Sequence, residues 1–151
     1  MSKTVEYFLS PQSPWCYLGH QRLVDLVRDT GAKVELKPFD LGKVFSVSGG
    51  LPLAKRAPQR QAYRLVELER WAKFLGLPMN VQPQFFPVSP DAASTLIIAA
   101  RTSLGVDAAL DLSGAIMRAL WEQEKNIADE DTLAQIADLC GFDGRMLLKS
   151  A

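Results

Sequence analysis

The segment Ser13-Pro14-Trp15-Cys16 follows a short apolar run, Val5 to Leu9, and precedes a stretch with helical spacing. Its position carries the chemistry. Unpaired backbone N–H groups and the positive end of the dipole meet at a helix N-terminus, and both favour a thiolate over a thiol. Two cysteines at the first and fourth of these positions would exchange disulfides. Here the first is a serine, so the attacking thiolate is missing and exchange is disfavoured. A serine hydroxyl can still donate a hydrogen bond to a thiolate that a ligand brings, lowering the pKa of the ligand's thiol. The same serine also suits a plain N-cap.

Other candidates have weaker patterns. Cys16 reads as a small core residue inside the helix, and Cys140 as core further on. His20, the only histidine, has no second histidine or nearby acid in the pattern of a dyad or a metal site. It is left outside the mechanism, and no metal is expected. Lys55 and Arg56 with Arg60 read as a solvated loop face.

The elements that position these residues follow from local signals. Val5–Leu9 reads as a buried strand and Ser10–Pro14 as a loop. Pro14 suits the first helical position, and the helix is expected to reach Thr30, with Leu23, Leu26 and Val27 buried and Gly31 as its left-handed end. A second strand alternates through Val34 and Leu36 up to Pro38. Strand, helix, strand predicts a parallel pair. Residues 41–58, rich in Gly, Ser and Pro, read as a long functional loop. A helix from Pro58 to Leu75 is expected to bury Leu68, Trp71, Ala72 and Leu75. Three more are expected at about Asp91–Ser103, Asp107–Glu122 and Asp129–Cys140, the last burying Leu133, Ile136, Ala137 and Cys140. Leu147 and Leu148 suggest one further turn.

Composition narrows the partners. The 151 residues balance 17 basic against 17 acidic side chains, so no net field gathers nucleic acid or an anionic membrane surface. No apolar run is long enough to span a bilayer and no export signal is visible at the start. Two distant cysteines are too few for a disulfide framework. The reading is a folded, cytoplasmic domain with a small-molecule ligand.

Longer motifs carry a resemblance. Ser13-Pro14-Trp15-Cys16-Tyr17-Leu18-Gly19 resembles the Ser-Pro-Tyr-Ser-Trp-Leu-Gly motif of kappa-class glutathione transferases and 2-hydroxychromene-2-carboxylate isomerases. Ala62-Tyr63 with Leu68 to Pro78 is similar to that family's helix after the long loop. Phe85-Phe86-Pro87-Val88 resembles its Phe-Pro-Val-Asn segment, and Trp121 with Asn126-Ile127 its Trp and Asp-Ile.

The resemblance implies an α/β fold: a thioredoxin-like βαβ half at residues 1–40, then a loop and inserted helical region at 41–151. The family's second half would add two strands, a cis-proline and a final helix. No residues for these occur before Ala151, so an incomplete domain is expected, whose open sheet edge pairs with another copy as a homo-oligomer. Glutathione is the implied cofactor, Ser13 the activating hydroxyl, and Trp15 and Tyr17 the walls of a pocket for an aromatic substrate. Arg60 falls at the family's lysine and Ser89 at an asparagine, both as glutathione contacts. Gly50 falls at an asparagine whose side chain it cannot replace. The implied activity is a glutathione-dependent isomerisation of an aromatic-degradation intermediate. The alternatives are a DsbA-like thiol-disulfide oxidoreductase using Cys16 and a non-catalytic truncated family member.

Overall fold

The computed structural model describes residues 3–151. β1 (Thr4–Leu9) and β2 (Lys33–Pro38) pair in parallel, in register from Thr4 opposite Lys33 to Leu9 opposite Pro38. α1 (Pro14–Thr30) joins them; Pro14 opens it, and Gly31 ends it at φ 64°, a conformation that suits glycine. There follow α2 (Leu41–Ser48), α3 (Pro58–Leu75), α4 (Asp91–Leu104), α5 (Val106–Trp121), α6 (Glu130–Leu139) and α7 (Gly144–Ser150). The fold is mixed α/β: seven helices and a small parallel sheet among the described residues. No helix among them is long and apolar enough to cross a membrane.

Several expectations are corrected. Residues 41–58 are not one long loop, because α2 occupies the first half and a 3-10 turn the segment Leu53–Lys55. Asp40 accepts from the amides of Gly42 and Lys43 at 2.8 and 3.2 Å, and Gly49 closes α2 at φ 74°. A cap at each end outweighs a helix-poor composition. β1 is not buried throughout; burial alternates along it and is complete only at Leu9. In α1, Leu26 is exposed, and Leu23 and Val27 are half-buried. The buried residues are Pro14, Tyr17, Leu18 and His20, because α5 packs against the first turns. α3 buries only Leu68 and Ala72, one turn apart. Trp71 stands 43% exposed, edge-on to Phe74. The last apolar pair belongs to the seven-residue helix α7.

α5 is the spine of the core. Ten of its sixteen residues are buried, so it is covered on most sides instead of along one stripe. Leu112, Ile116, Leu120 and Trp121 join Leu9 and Leu36 of the sheet, Leu96 and Ile97 of α4 and Leu133 of α6 in one cluster. Arg101 on α4 donates to the Leu36 carbonyl and ties the helices to β2.

His20 has a structural part that the sequence reading left out. Its Nε2 lies 3.0 Å from the Leu110 carbonyl on α5, which can only accept, so Nε2 carries the proton. Nδ1 then accepts from the Tyr7 hydroxyl on β1 at 3.0 Å. One neutral imidazole thus links β1, α1 and α5. Gly114 permits the approach: a Cβ there would lie 3.1 Å from the ring.

Burial lowers the pKa of His20, aided by the Arg118 charge and opposed by the Leu110 carbonyl and Asp111. The unfolded chain therefore takes up the proton first as pH falls. Stability is complete above the unfolded value of about 6.5. It declines as pH falls through that value towards the lower native one, at up to about 1.4 kcal/mol per pH unit. Denaturant melts between pH 7.5 and 5.5 are expected to show this slope. His20→Gln should be less stable at pH 7.5 and should lack the slope; a slope unchanged in that variant assigns the effect elsewhere.

Candidate functional site

The loop from Ser10 to Ser13 is a tight turn, with the Ser13 amide donating to the Ser10 carbonyl at 2.9 Å. Ser13 is the N-cap of α1, and its Oγ accepts from the Cys16 amide at 3.3 Å. That contact uses one lone pair, and the hydroxyl proton remains free to donate. Gln12 Oε1 accepts from the Val88 amide at 3.4 Å and joins this loop to the cis Phe86–Pro87 peptide.

Ser13 opens onto a cleft of about 280 Å³. Gln12, Ser13 and Trp15 form one wall, Leu41 and Phe45 of α2 a second, and Leu53, Arg56, Arg64 and Phe86 a third. The walls are apolar and aromatic except for the hydroxyl, one amide and two guanidinium groups. This arrangement can hold a thiolate against the end of α1 and an anionic, flat molecule beside it. A larger, more open depression of about 660 Å³ runs along the exposed face of α3 at Glu67, Arg70, Trp71, Lys73 and Phe74. It lies apart from the Ser13 hydroxyl.

Of the residues singled out in the sequence, Ser13 and Trp15 meet in the cleft. Tyr17 does not line it. Two residues beyond Trp15, it is turned roughly 200° around the helix, and its hydroxyl meets the Pro78 carbonyl and donates to Glu122 at 2.9 Å. Burial first, and then Glu122, push its pKa up, so it stays protonated. Arg60, in the first turn of α3, is exposed and outside the lining. Ser89 is exposed too, and its Oγ accepts from the Asp91 amide at the start of α4. Cys16 is half-buried against the core, and burial raises the thiol of Cys140. Among the described residues no cluster of His, Cys, Asp and Glu is placed to hold a metal.

Residues 41–58, expected to be functional, do supply Phe45 and Arg56 to the lining, though neither was singled out there; Arg64 and Phe86 were missed. No local spacing picks out the pair: Arg56 precedes α3, and Arg60, one turn from Arg64 on that helix, is exposed and outside the lining. Gly50 also gains a reason. A Cβ there would fall 2.4 Å from the Phe45 ring, so the ring fills the space that an asparagine side chain would enter.

A parallel βαβ unit whose helix starts at a polar cap beside a cleft matches the first half of a thioredoxin-type fold. The chain belongs to the DSBA-like thioredoxin domain family, which it matches over residues 4–150. It is 27% identical over 148 residues to the 2-hydroxychromene-2-carboxylate isomerase of Sphingobium xenophagum, covering 97% of this chain and 73% of that protein. With the 2-hydroxychromene-2-carboxylate isomerase of Pseudomonas putida it shares 32% identity over 76 residues, 50% of this chain and 37% of that protein. A solved structure of 2-hydroxychromene-2-carboxylate isomerase superposes with TM-score 0.81 at 22% identity, over 97% of this chain and 70% of that one. The cytosolic disulfide reductase DsbM from Pseudomonas aeruginosa with GSH superposes with TM-score 0.66 at 21% identity, over the same shares.

Proposed function

We propose that this protein is a glutathione-dependent isomerase of the 2-hydroxychromene-2-carboxylate type, acting on an unsaturated aromatic acid. The observation that carries the reading is the Ser13 hydroxyl, free to donate, at the capped end of α1 and open to a cleft with aromatic and cationic walls. The isomerase relatives supply the reaction type.

Glutathione, when bound, would supply a nucleophilic thiolate, the chemistry that makes rotation about a stiff conjugated double bond easy. The protein's own residues prepare that event. Ser13 donates to the sulfur, and the dipole of α1 adds to the preference for its anionic form. Trp15, Phe45 and Phe86 present flat apolar surface for the ring of the substrate and keep water from it. Cys16 takes no part, because the residue three positions before it cannot form a mixed disulfide. The reading places the work in the cytoplasm, where thiols stay reduced.

The test is to mix the full chain with 2-hydroxychromene-2-carboxylate and follow its interconversion spectroscopically. Turnover is expected with reduced glutathione and not with S-methylglutathione, which has no thiol to ionise. Equal turnover with both removes the thiolate from the mechanism. Reduction of insulin disulfides that depends on Cys16 replaces the isomerase reading with an oxidoreductase one.

A further inference from the structure

We propose that Arg56 and Arg64 form a paired carboxylate subsite in the Ser13 cleft, gripping the acid group of a ligand whose flat body lies against Phe45 and Phe86. The nature of the ligand rests on the isomerase reading; the subsite itself does not.

Charge is the first argument. The protein is neutral overall, yet the residues lining this cleft include two arginines and neither an aspartate nor a glutamate. Among the described residues, no carboxylate lies within ion-pair distance of either guanidinium. Both side chains are half-buried, so water only partly compensates them. Arg64 also carries an electrostatic load: burial and the charge of Arg56 both act against its protonated form. A guanidinium stays protonated even so. One anion between the two would relieve both the burial and the repulsion.

Geometry is the second argument. The Arg64 guanidinium stands 4.9 Å from the centre of the Phe86 ring, and that of Arg56 5.9 Å from Phe45. Each cation is thus held by an aromatic face. Phe86 is itself packed on buried Trp121, at 5.0 Å between ring centres. Arg56 Nε donates to the Leu51 carbonyl at 2.8 Å, which orients the fork and leaves its terminal N–H groups available. Such pre-oriented planar donors match a carboxylate better than a flexible ammonium does. Arg60, midway between them, is exposed and lies outside the lining.

The carboxylate has two sources, the aromatic acid or glutathione, and titration calorimetry of the full chain separates them. One arm uses trans-cinnamate without glutathione, the other glutathione without cinnamate. Arg64→Gln is expected to weaken at least one of them by about tenfold to a hundredfold, the scale of a lost hydrogen bond to a charged group. Arg64→Lys should recover only part. Uncharged cinnamamide should bind the wild type more weakly than cinnamate if the aromatic acid is the occupant. A loss confined to cinnamate places the aromatic acid on the pair; one confined to glutathione places the tripeptide there.

Circular dichroism checks that each variant is folded, and Arg56→Gln provides a second removal should Arg64→Gln fail to fold. The proposal is overturned if neither acid binds the wild type, or if folded Arg56→Gln and Arg64→Lys bind both acids as the wild type does. No arm relies on turnover. Arginine-dependent binding of cinnamate by a protein that never isomerises would sink the isomerase reading and leave the subsite standing.

Discussion

Ser13→Ala is expected to lower glutathione-dependent isomerisation by about 10²–10³-fold, the effect of removing one preorganised donor from a developing or resident anion. Folding should survive, because the substitution also removes a cap worth only about 0.5–2 kcal/mol. The two effects have different signatures. Loss of the cap lowers the denaturation midpoint, whereas loss of the donor raises the pKa of bound glutathione and diminishes its ultraviolet thiolate absorbance at neutral pH. Ser13→Cys tests the same position from the other side. It restores a Cys-x-x-Cys spacing with Cys16 and should gain insulin-reducing activity as isomerisation changes. If Ser13→Ala kept both its turnover and its thiolate signal, Ser13 would be a cap and nothing more.

Gly144→Ala should destabilise the protein by roughly 3 kcal/mol, at the upper end of the usual range for overpacking. Helix propensity has little say here, since the preference for alanine over glycine of about 1 kcal/mol belongs to helix interiors and Gly144 is the first residue of α7. Contact decides the sign. A Cβ on Gly144 would lie 2.2 Å from the Ala134 carbonyl oxygen and 2.7 Å from its Cα, both backbone atoms of α6. No rotamer change relieves such an overlap, so α7 must move off α6. That movement would also disturb the Gly144 amide, which donates to Asp138 at 2.9 Å. Urea unfolding measures the loss, and hydrogen exchange should show it concentrated in residues 144–150. A variant as stable as the wild type would show that α7 can shift without penalty.

How much of this was legible depended on whether a signal was local. Ser13, Pro14 and Gly31 are adjacent to the helix they delimit, and the parallel strands follow from the element order. Asp40 and Gly49 were equally local, but the Gly, Ser and Pro content around them masked a helix of eight residues. Burial was less accessible. Leu26 and Trp71 have the composition and spacing of core residues, yet both are exposed, because whether a helical face is covered depends on which element packs there. The site divides in the same way. Ser13 and Trp15 share one segment, whereas Arg64 lies on α3 and Phe86 in the connection after it, and they meet only through the tertiary arrangement. His20 acquires its partners Tyr7 and Leu110 in that same manner.

The placement of the three tryptophans makes the protein its own optical gauge. Trp121 is fully buried, whereas Trp15, on the wall of the cleft, is 47% exposed and Trp71, on the open face of α3, 43%. With Trp71→Phe, emission would come from one dry indole and one wet one. Iodide should quench only the second, and a molecule seated beside Ser13 would shield it. Occupancy of the cleft then reads directly as lost quenching, while the Trp121 signal reports separately that the core is intact.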